Sequence, residues 1–498
     1  MSFKVAIVGA GSIGFTRRLV RDFLSVPEFN DIEFAFQDID ERNLGMVTQL
    51  CERDIEFNKS RAKIHPTLDR EEALKGAKYV INTARVGGLD AFRTDVEIPL
   101  RYGIDQCVGD TICAGGIMYG QRTIPMVLEL CEQIEAYALP DAKLLNYANP
   151  MAMNTWAALD QSNVETIGLC HGVQGGHYLL SKLFETFLNQ GVSKDDASYK
   201  EVKKKDIQIS AVGINHQTWY MSVVHEGIEY ANKLLPIFQL EDWVCNNEKV
   251  RMDMIERFGY FSTESNGHLS EYVPWYRKRP EAIKDWISHE RWIHGETAGY
   301  LRVCTENRTW FETDFPKWLE EEPWTYDSDL RSDEHGSWIV ESLETGRVYR
   351  GHFNVRNNHV VTNLPSDCIV EVPGYVDKSG MSIPIYGDLP LGCAAVCNNS
   401  IQVQRMAKDA AIAADVQLLK QSMLLDPLVG AVCDPPEVWH LVDAMLVEQR
   451  AWLPQYQSEI PKAESRLRNS SVKTKQQANG AARLRTRSIE ELRAANST

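Results

Sequence analysis

In the stretch GLCHGVQGGH, residues 168–177, Cys170 and His171 stand side by side with three glycines behind them. A thiolate is a soft metal ligand, and an imidazole is a ligand or an acid–base group. Taken alone, the pair equally fits a buried cysteine beside a capping histidine. A second histidine, His216 in VGINHQTW, again follows an apolar run that reads as a strand. One thiolate and one imidazole leave a divalent cation with open positions, which suits a catalytic metal rather than a structural one.

Side chains so far apart in sequence need a scaffold to bring them together, and the N-terminal half supplies one. The run FKVAIV is followed by GAGSIG and then by the helical pattern FTRRLVRDFLSV. Gly9, Gly11 and Gly14 form GxGxxG between strand and helix, with Ser12 inside the turn. The first glycine allows the tight turn, the second lets backbone approach a pyrophosphate, and the third permits close helix packing. The helix N-terminus then faces the phosphates. Asp38 closes the second strand in FQDID, 24 residues after Gly14. A carboxylate there binds ribose hydroxyls and repels a 2′-phosphate, so the expected cofactor is NAD, with Asp40 as the fallback. Gly87 in RVGGL follows the strand AKYVINTA and is expected along the cofactor.

Strands alternating with helices predict an α/β fold with a parallel, doubly wound sheet. Residues 1–165 read as a Rossmann domain of the lactate/malate dehydrogenase kind. Residues 166–460 read as an α+β catalytic domain, with paired strands in DIQISAVGINHQTWYMSVV and an amphipathic helix over 401–423. In such sheets ligands gather beyond the C-terminal strand ends, which brings Asn149, Cys170 and His171 towards the nicotinamide.

Composition removes several function classes. The net charge of −16 opposes nucleic-acid binding. No apolar run reaches the length of a membrane helix, and the N-terminus lacks the order of a signal peptide. Eleven scattered cysteines suggest reduced thiols, hence a cytoplasmic enzyme, expected as a homo-oligomer (dimer or tetramer). Residues 461–498 are basic and poor in branched apolar side chains, so they are expected to be a disordered tail.

The chain resembles the NAD-dependent glycoside hydrolases of family 4 over roughly residues 3–460. The resemblance rests on GAGSIGF, GDTICAGGIMYGQRTIP, LNYANPMAMNTWA, GLCHGVQGG, GINHQTWY, GYFSTESNGHLSEYVPWYRK and VTNLPSDCIVEVPGYVD. The family stands outside two-carboxylate glycosidase catalysis. The resemblance implies oxidation of the sugar at C3 by NAD, which acidifies the C2 proton for removal by a tyrosinate. Elimination at C1, water addition and return of the hydride complete the cycle. It further implies that Cys170 and His216 bind Mn²⁺ or another divalent metal and that His171 assists leaving-group departure. Tyr272 is then the base, with Tyr276 as its rival, and Asn149 holds a sugar hydroxyl. Asp110, in the small-residue segment GDTICAGG read as a flexible cover, is expected to contact substrate.

The Cys-His motif with NPMAMNTWA and GHLSEYVPW resembles the α-galactosidase (melibiase) branch, so hydrolysis of a small α-galactoside is the expected reaction. Gly172 stands where that branch carries serine, leaving space that a serine would fill. Cys-His-Gly also marks α-glucuronidases, which keeps an α-glucuronide or α-galacturonide as the alternative substrate, with Arg277 or Lys278 as the cation for its carboxylate. A 2-hydroxyacid dehydrogenase shares the Rossmann half and the Asn-Pro turn, but it needs no metal and gives the Cys170–His216 pair no role. A non-catalytic NAD sensor would bind the cofactor without metal dependence.

Overall fold

The computed structural model describes residues 2–307, 310–475 and 480–495. The short apolar runs become the strands β1 (Lys4–Val8), β2 (Glu33–Gln37), β3 (Lys63–Thr67), β4 (Tyr79–Asn82), β5 (Lys143–Asn146) and β6 (Glu165–Gly168). They lie parallel in the order β3-β2-β1-β4-β5-β6. β1 and β4 are almost entirely buried, as expected of strands covered by helices on both faces. The helix Ile13–Leu24 starts directly after the glycine turn, as the sequence predicts.

The sheet does not stop at the expected domain boundary. The later strands are β7 (Ile207–Ile214), β8 (Gln217–His225), β9 (Ile228–Glu229), β10 (Tyr349–Arg356), β11 (Ile369–Asp377) and β12 (Gly380–Ser382). β10 joins antiparallel to β6 through Asn354 and Gly168, and the order continues β10-β11-β7-β8-β9. Residues 166–460 therefore extend the Rossmann sheet instead of forming a second sheet. Helices of the C-terminal part also share a core with the first part: Ile117, Met118 and Met153 pack with Val403, Leu441 and Met445.

Three expectations need correction. The amphipathic stretch 401–423 is two helices, Leu391–Ala413 and Val416–Leu425, broken where Ala414 takes a left-handed φ of 55° and Asp415 caps the second. GDTICAGG is not a flexible cover: it is buried and opens the helix Cys113–Tyr137, and a Cβ on Gly116 would lie 2.4 Å from the Thr111 carbonyl carbon. The described part of 461–498 is ordered, because its basic groups meet acidic partners. Arg466 forks onto Asp443 at 2.8 Å twice, Arg487 pairs with Glu306, and Ala482 pairs with Thr297 through the backbone. The remainder of that expectation, at 476–479 and 496–498, lies outside the described residues.

Candidate active site

The glycine turn builds one side of the site. Gly9 N and Ala10 N both donate to Gln37 O at 2.9 Å, and Gly9 sits at φ +88° where a Cβ would come within 2.8 Å of Ala84 N. Gly11 N donates to Asp38 Oδ2 at 2.7 Å, tying the turn to the end of β2. Asp40, the fallback, instead caps the helix Glu41–Phe57 by accepting from Asn43 N. A Cβ at Gly14 would meet only Trp310, at 3.4 Å, so the third glycine is less crowded than its expected role requires. Gly9, Ser12, Asp38, Gly87 and Asn149 all line one cleft of about 930 Å³. At Gly87, φ +78°, a Cβ would strike Ala91 at 2.4 Å. This bare-backbone cradle beside a helix N-terminus fits a dinucleotide.

Cys170 and His216 converge next to that cleft. Cys170 lies two residues past the end of β6, and His216 sits in the two-residue turn between β7 and β8 with φ 63°, a left-handed conformation that non-glycine residues adopt at a cost. Cys170 Sγ is 3.4 Å from His216 Nε2, and the Glu264 carboxylate completes a group whose ligand atoms all lie within 4.8 Å of one another. Thr111 Oγ1 donates to Asp110 Oδ1 at 2.9 Å, so at its 2.6 Å contact with His216 Nδ1 it must accept. That fixes the histidine proton on Nδ1 and leaves Nε2 bare for a metal.

His216 also belongs to a second group, with Asp110 and His268. Asn149 Nδ2 donates to Asp110 Oδ2 at 2.8 Å and Tyr272 Oη donates to Oδ1 at 3.3 Å. Burial pushes the Asp110 carboxyl up, but His268, His216 and Arg85 outweigh it and the net shift is downward. Glu264 behaves likewise: burial opposes its charge, while His216, His268 and His171 favour it. Burial and the Glu264 charge push the Cys170 thiol well up, and burial with Asp110 and Glu271 does the same to the Tyr272 phenol. A cation bound beside them would favour the ionised form of both groups. Thiolate, imidazole and carboxylate form a donor set that a divalent ion can use while keeping positions for substrate oxygens.

His171 stands at the rim, exposed, with Nδ1 3.7 Å from Glu334 Oε1. Tyr276 is elsewhere: its hydroxyl donates to Asp253 and its ring packs on Trp286. Arg277 is fully buried, donating to Asp105 Oδ1, Ser270 Oγ and Gly295 O, while Lys278 is exposed. Arg277 cannot serve as the expected uronate cation, because it is consumed in a core ion pair. The space ascribed to Gly172 is also filled: a Cβ there would lie 1.6 Å from Glu264 Oε1. Sequence reasoning missed Glu264 and Arg85, and from sequence His268 reads as a satisfied structural histidine, whereas the structure sets it beside Asp110 and His216. The available signal for Glu264 and His268 was an acid and an imidazole four residues apart just before Tyr272.

A glycine-turn cleft and, near it, a thiol–imidazole–carboxylate group define an α/β fold whose residues fit a dinucleotide and a divalent cation. The chain belongs to the family 4 glycosyl hydrolases: residues 4–186 match that family and residues 211–429 match its C-terminal domain. It is 52% identical to an α-galactosidase of Rhizobium meliloti (strain 1021) over 494 residues, 99% of this chain and 97% of the relative. An α-galactosidase of Bacillus subtilis (strain 168) is 33% identical over 91% of this chain and 99% of its own length. Among solved structures, a Thermotoga maritima 6-phospho-β-glucosidase with manganese, NAD⁺ and glucose-6-phosphate shares the fold, with a TM-score of 0.72, 22% identity and coverage of 90% and 99% of the two chains.

Proposed function

We propose that the chain hydrolyses α-galactosides with NAD and a divalent metal, Mn²⁺ by preference. The observation that carries this reading is the convergence of Cys170, His216 and Glu264 with the Tyr272–Asp110–Asn149 hydrogen-bonded group beside the glycine-turn cleft. Cys170, His216 and Glu264 would hold the metal, and the GxGxxG turn with Asp38 would hold the dinucleotide. Bound, the two supply a reversible hydride acceptor and Lewis acidity at the sugar oxygens.

The chain's own residues do the rest. As tyrosinate, once its phenolic proton has passed to solvent, Tyr272 Oη takes the proton from C2; in the phenol form it donates to Asp110 Oδ1, which fixes the direction of that oxygen. Asn149 Nδ2, aligned by Asp110 Oδ2, faces a sugar hydroxyl. His171, at the rim, protonates the departing oxygen. The free cysteines, among them the proposed ligand, support a reducing, cytoplasmic compartment, and among the described residues no helix is long and apolar enough to cross a membrane. We extend the reading to a homo-oligomer.

A uronide substrate is the second reading, favoured by one observation. Arg85 lines the cleft over the rings of Phe92, Tyr119 and Tyr300 at 4.6, 5.3 and 5.4 Å, and forms no ion pair among the described residues. A substrate carboxylate could pair with it. A screen of p-nitrophenyl α-galactoside, α-glucoside and α-glucuronide with NAD, Mn²⁺ and reductant decides. The galactoside should be turned over fastest; a roughly tenfold kcat/KM preference for the glucuronide would transfer the assignment to the uronide.

A further inference from the structure

We propose that the cavity between the helix Gly172–Leu188 and the helix Asp242–Asn247 is the subsite for the leaving-group sugar; this rests on the α-galactosidase reading above. The cavity measures about 600 Å³ and is separate from the dinucleotide cleft, and the two share no lining residue. His171, Gly172 and Glu264, which adjoin the proposed metal group, line one side of the cavity. Asn149, on the other side, lines the cleft. A glycoside whose C1 oxygen receives a proton from His171 must carry its second sugar into the space that His171 borders.

The walls suit a hexose. Trp243 and Tyr178 present partly exposed rings, and the indole is held by Nε1 donating to Glu290 Oε1 at 2.9 Å and by an edge contact with His294 at 5.6 Å. Fixed aromatic faces stack on the C–H face of a pyranose, while charged and polar groups between them meet its hydroxyls. Arg291 supplies such a group, exposed at the rim.

The glycines of GLCHGVQGGH carry the same message. Gly172, Gly175 and Gly176 share one helix face and all border the cavity. Two have packing reasons to lack a side chain: a Cβ would strike Glu264 at 1.6 Å from Gly172 and the Tyr220 hydroxyl at 2.0 Å from Gly176. Gly175 has none, since a Cβ there meets nothing within 4 Å. Glycine inside a helix costs about 1 kcal/mol relative to alanine, and an empty cavity wall is what that cost obtains.

The test compares two substrates that share galactose and differ in the leaving group: melibiose, which departs with glucose, and α-galactosyl fluoride, which departs with a single atom. Gly175→Leu and, separately, Trp243→Ala should each lower kcat/KM for melibiose at least about tenfold and leave the fluoride within about twofold. Retained fluoride turnover also certifies folding. Equal losses on both substrates, or no loss on melibiose, would overturn the subsite. A wild-type enzyme that turns over neither substrate would overturn the α-galactosidase reading, and the subsite with it.

Discussion

Cys170 Sγ and His216 Nε2 stand 3.4 Å apart although 46 positions separate them, one at the end of β6 and the other in the β7–β8 turn. β10 and β11 lie between β6 and β7 in the sheet, so the pair depends on the antiparallel strands that extend the Rossmann sheet. If the two residues are the metal ligands, Cys170→Ser and His216→Ala should each lower turnover by at least about 10³-fold and abolish tight Mn²⁺ binding. NAD affinity, measured by calorimetry, should stay near the wild-type value. A variant with near-normal activity at modest Mn²⁺ would make its residue structural.

Glu264 Oε1 sits 4.0 Å from Cys170 Sγ. Glu264→Gln should raise the Mn²⁺ concentration for half-maximal activity by about 10–100-fold, with kcat recovering at high metal. An unchanged metal titration would remove Glu264 from the proposed ligand set.

Gly172→Ser must displace Glu264, since the added Cβ would overlap its carboxylate. The variant should show the same direction of change in metal requirement as Glu264→Gln, and the double variant should be no worse than the more severe single one. Additive effects would mean that the two residues act independently.

Arg277 and Asp105 form a fully buried ion pair. Removing one partner leaves the other charge uncompensated, so Arg277→Ala should cost roughly 3–5 kcal/mol in urea unfolding. The ratio of galactoside to glucuronide kcat/KM should not move. A stable variant with an altered ratio would restore Arg277 as a specificity residue.

Asp426 gives a pH prediction. Burial raises its carboxyl from 3.8 to about 6, although it accepts from the amides of Val429, Cys113 and Leu428. The folded chain therefore holds this proton more tightly than the unfolded chain does. The resulting stability is complete below the unfolded value and is lost as pH rises through about 6. Between about pH 4 and pH 6 the urea midpoint of Asp426→Asn should fall less, or rise more, than that of the wild type; parallel curves would contradict the assignment.

The Rossmann half was legible because it is written locally: continuous apolar runs, a glycine turn and an acid at the next strand end all lie within 40 residues. Cys170 and His216 stood out because each follows such a run, and the structure brings them together. β10 was not, since YRGHFNVR mixes charges with apolar residues and its partner Gly168 lies 186 positions earlier. Glu264 and Arg277 failed for a related reason. WYRKR looks like a solvated basic face until Asp105 is brought against it, and the space at Gly172 looks open until Glu264 occupies it. Long-range contacts decided these cases, and for Arg277 and Gly172 residue type gave no sign of them.

In the proposed reaction cleavage passes through removal of the C2 proton by Tyr272. Hydrolysis of p-nitrophenyl α-galactoside in D₂O, with NAD and Mn²⁺ present, tests it directly, because a proton taken by a side chain exchanges with solvent before its place is refilled. The released galactose should carry deuterium at C2 by NMR, the NAD should be unchanged at the end, and Tyr272→Phe should lose turnover. Galactose with only protium at C2, formed at the full rate, would contradict the account.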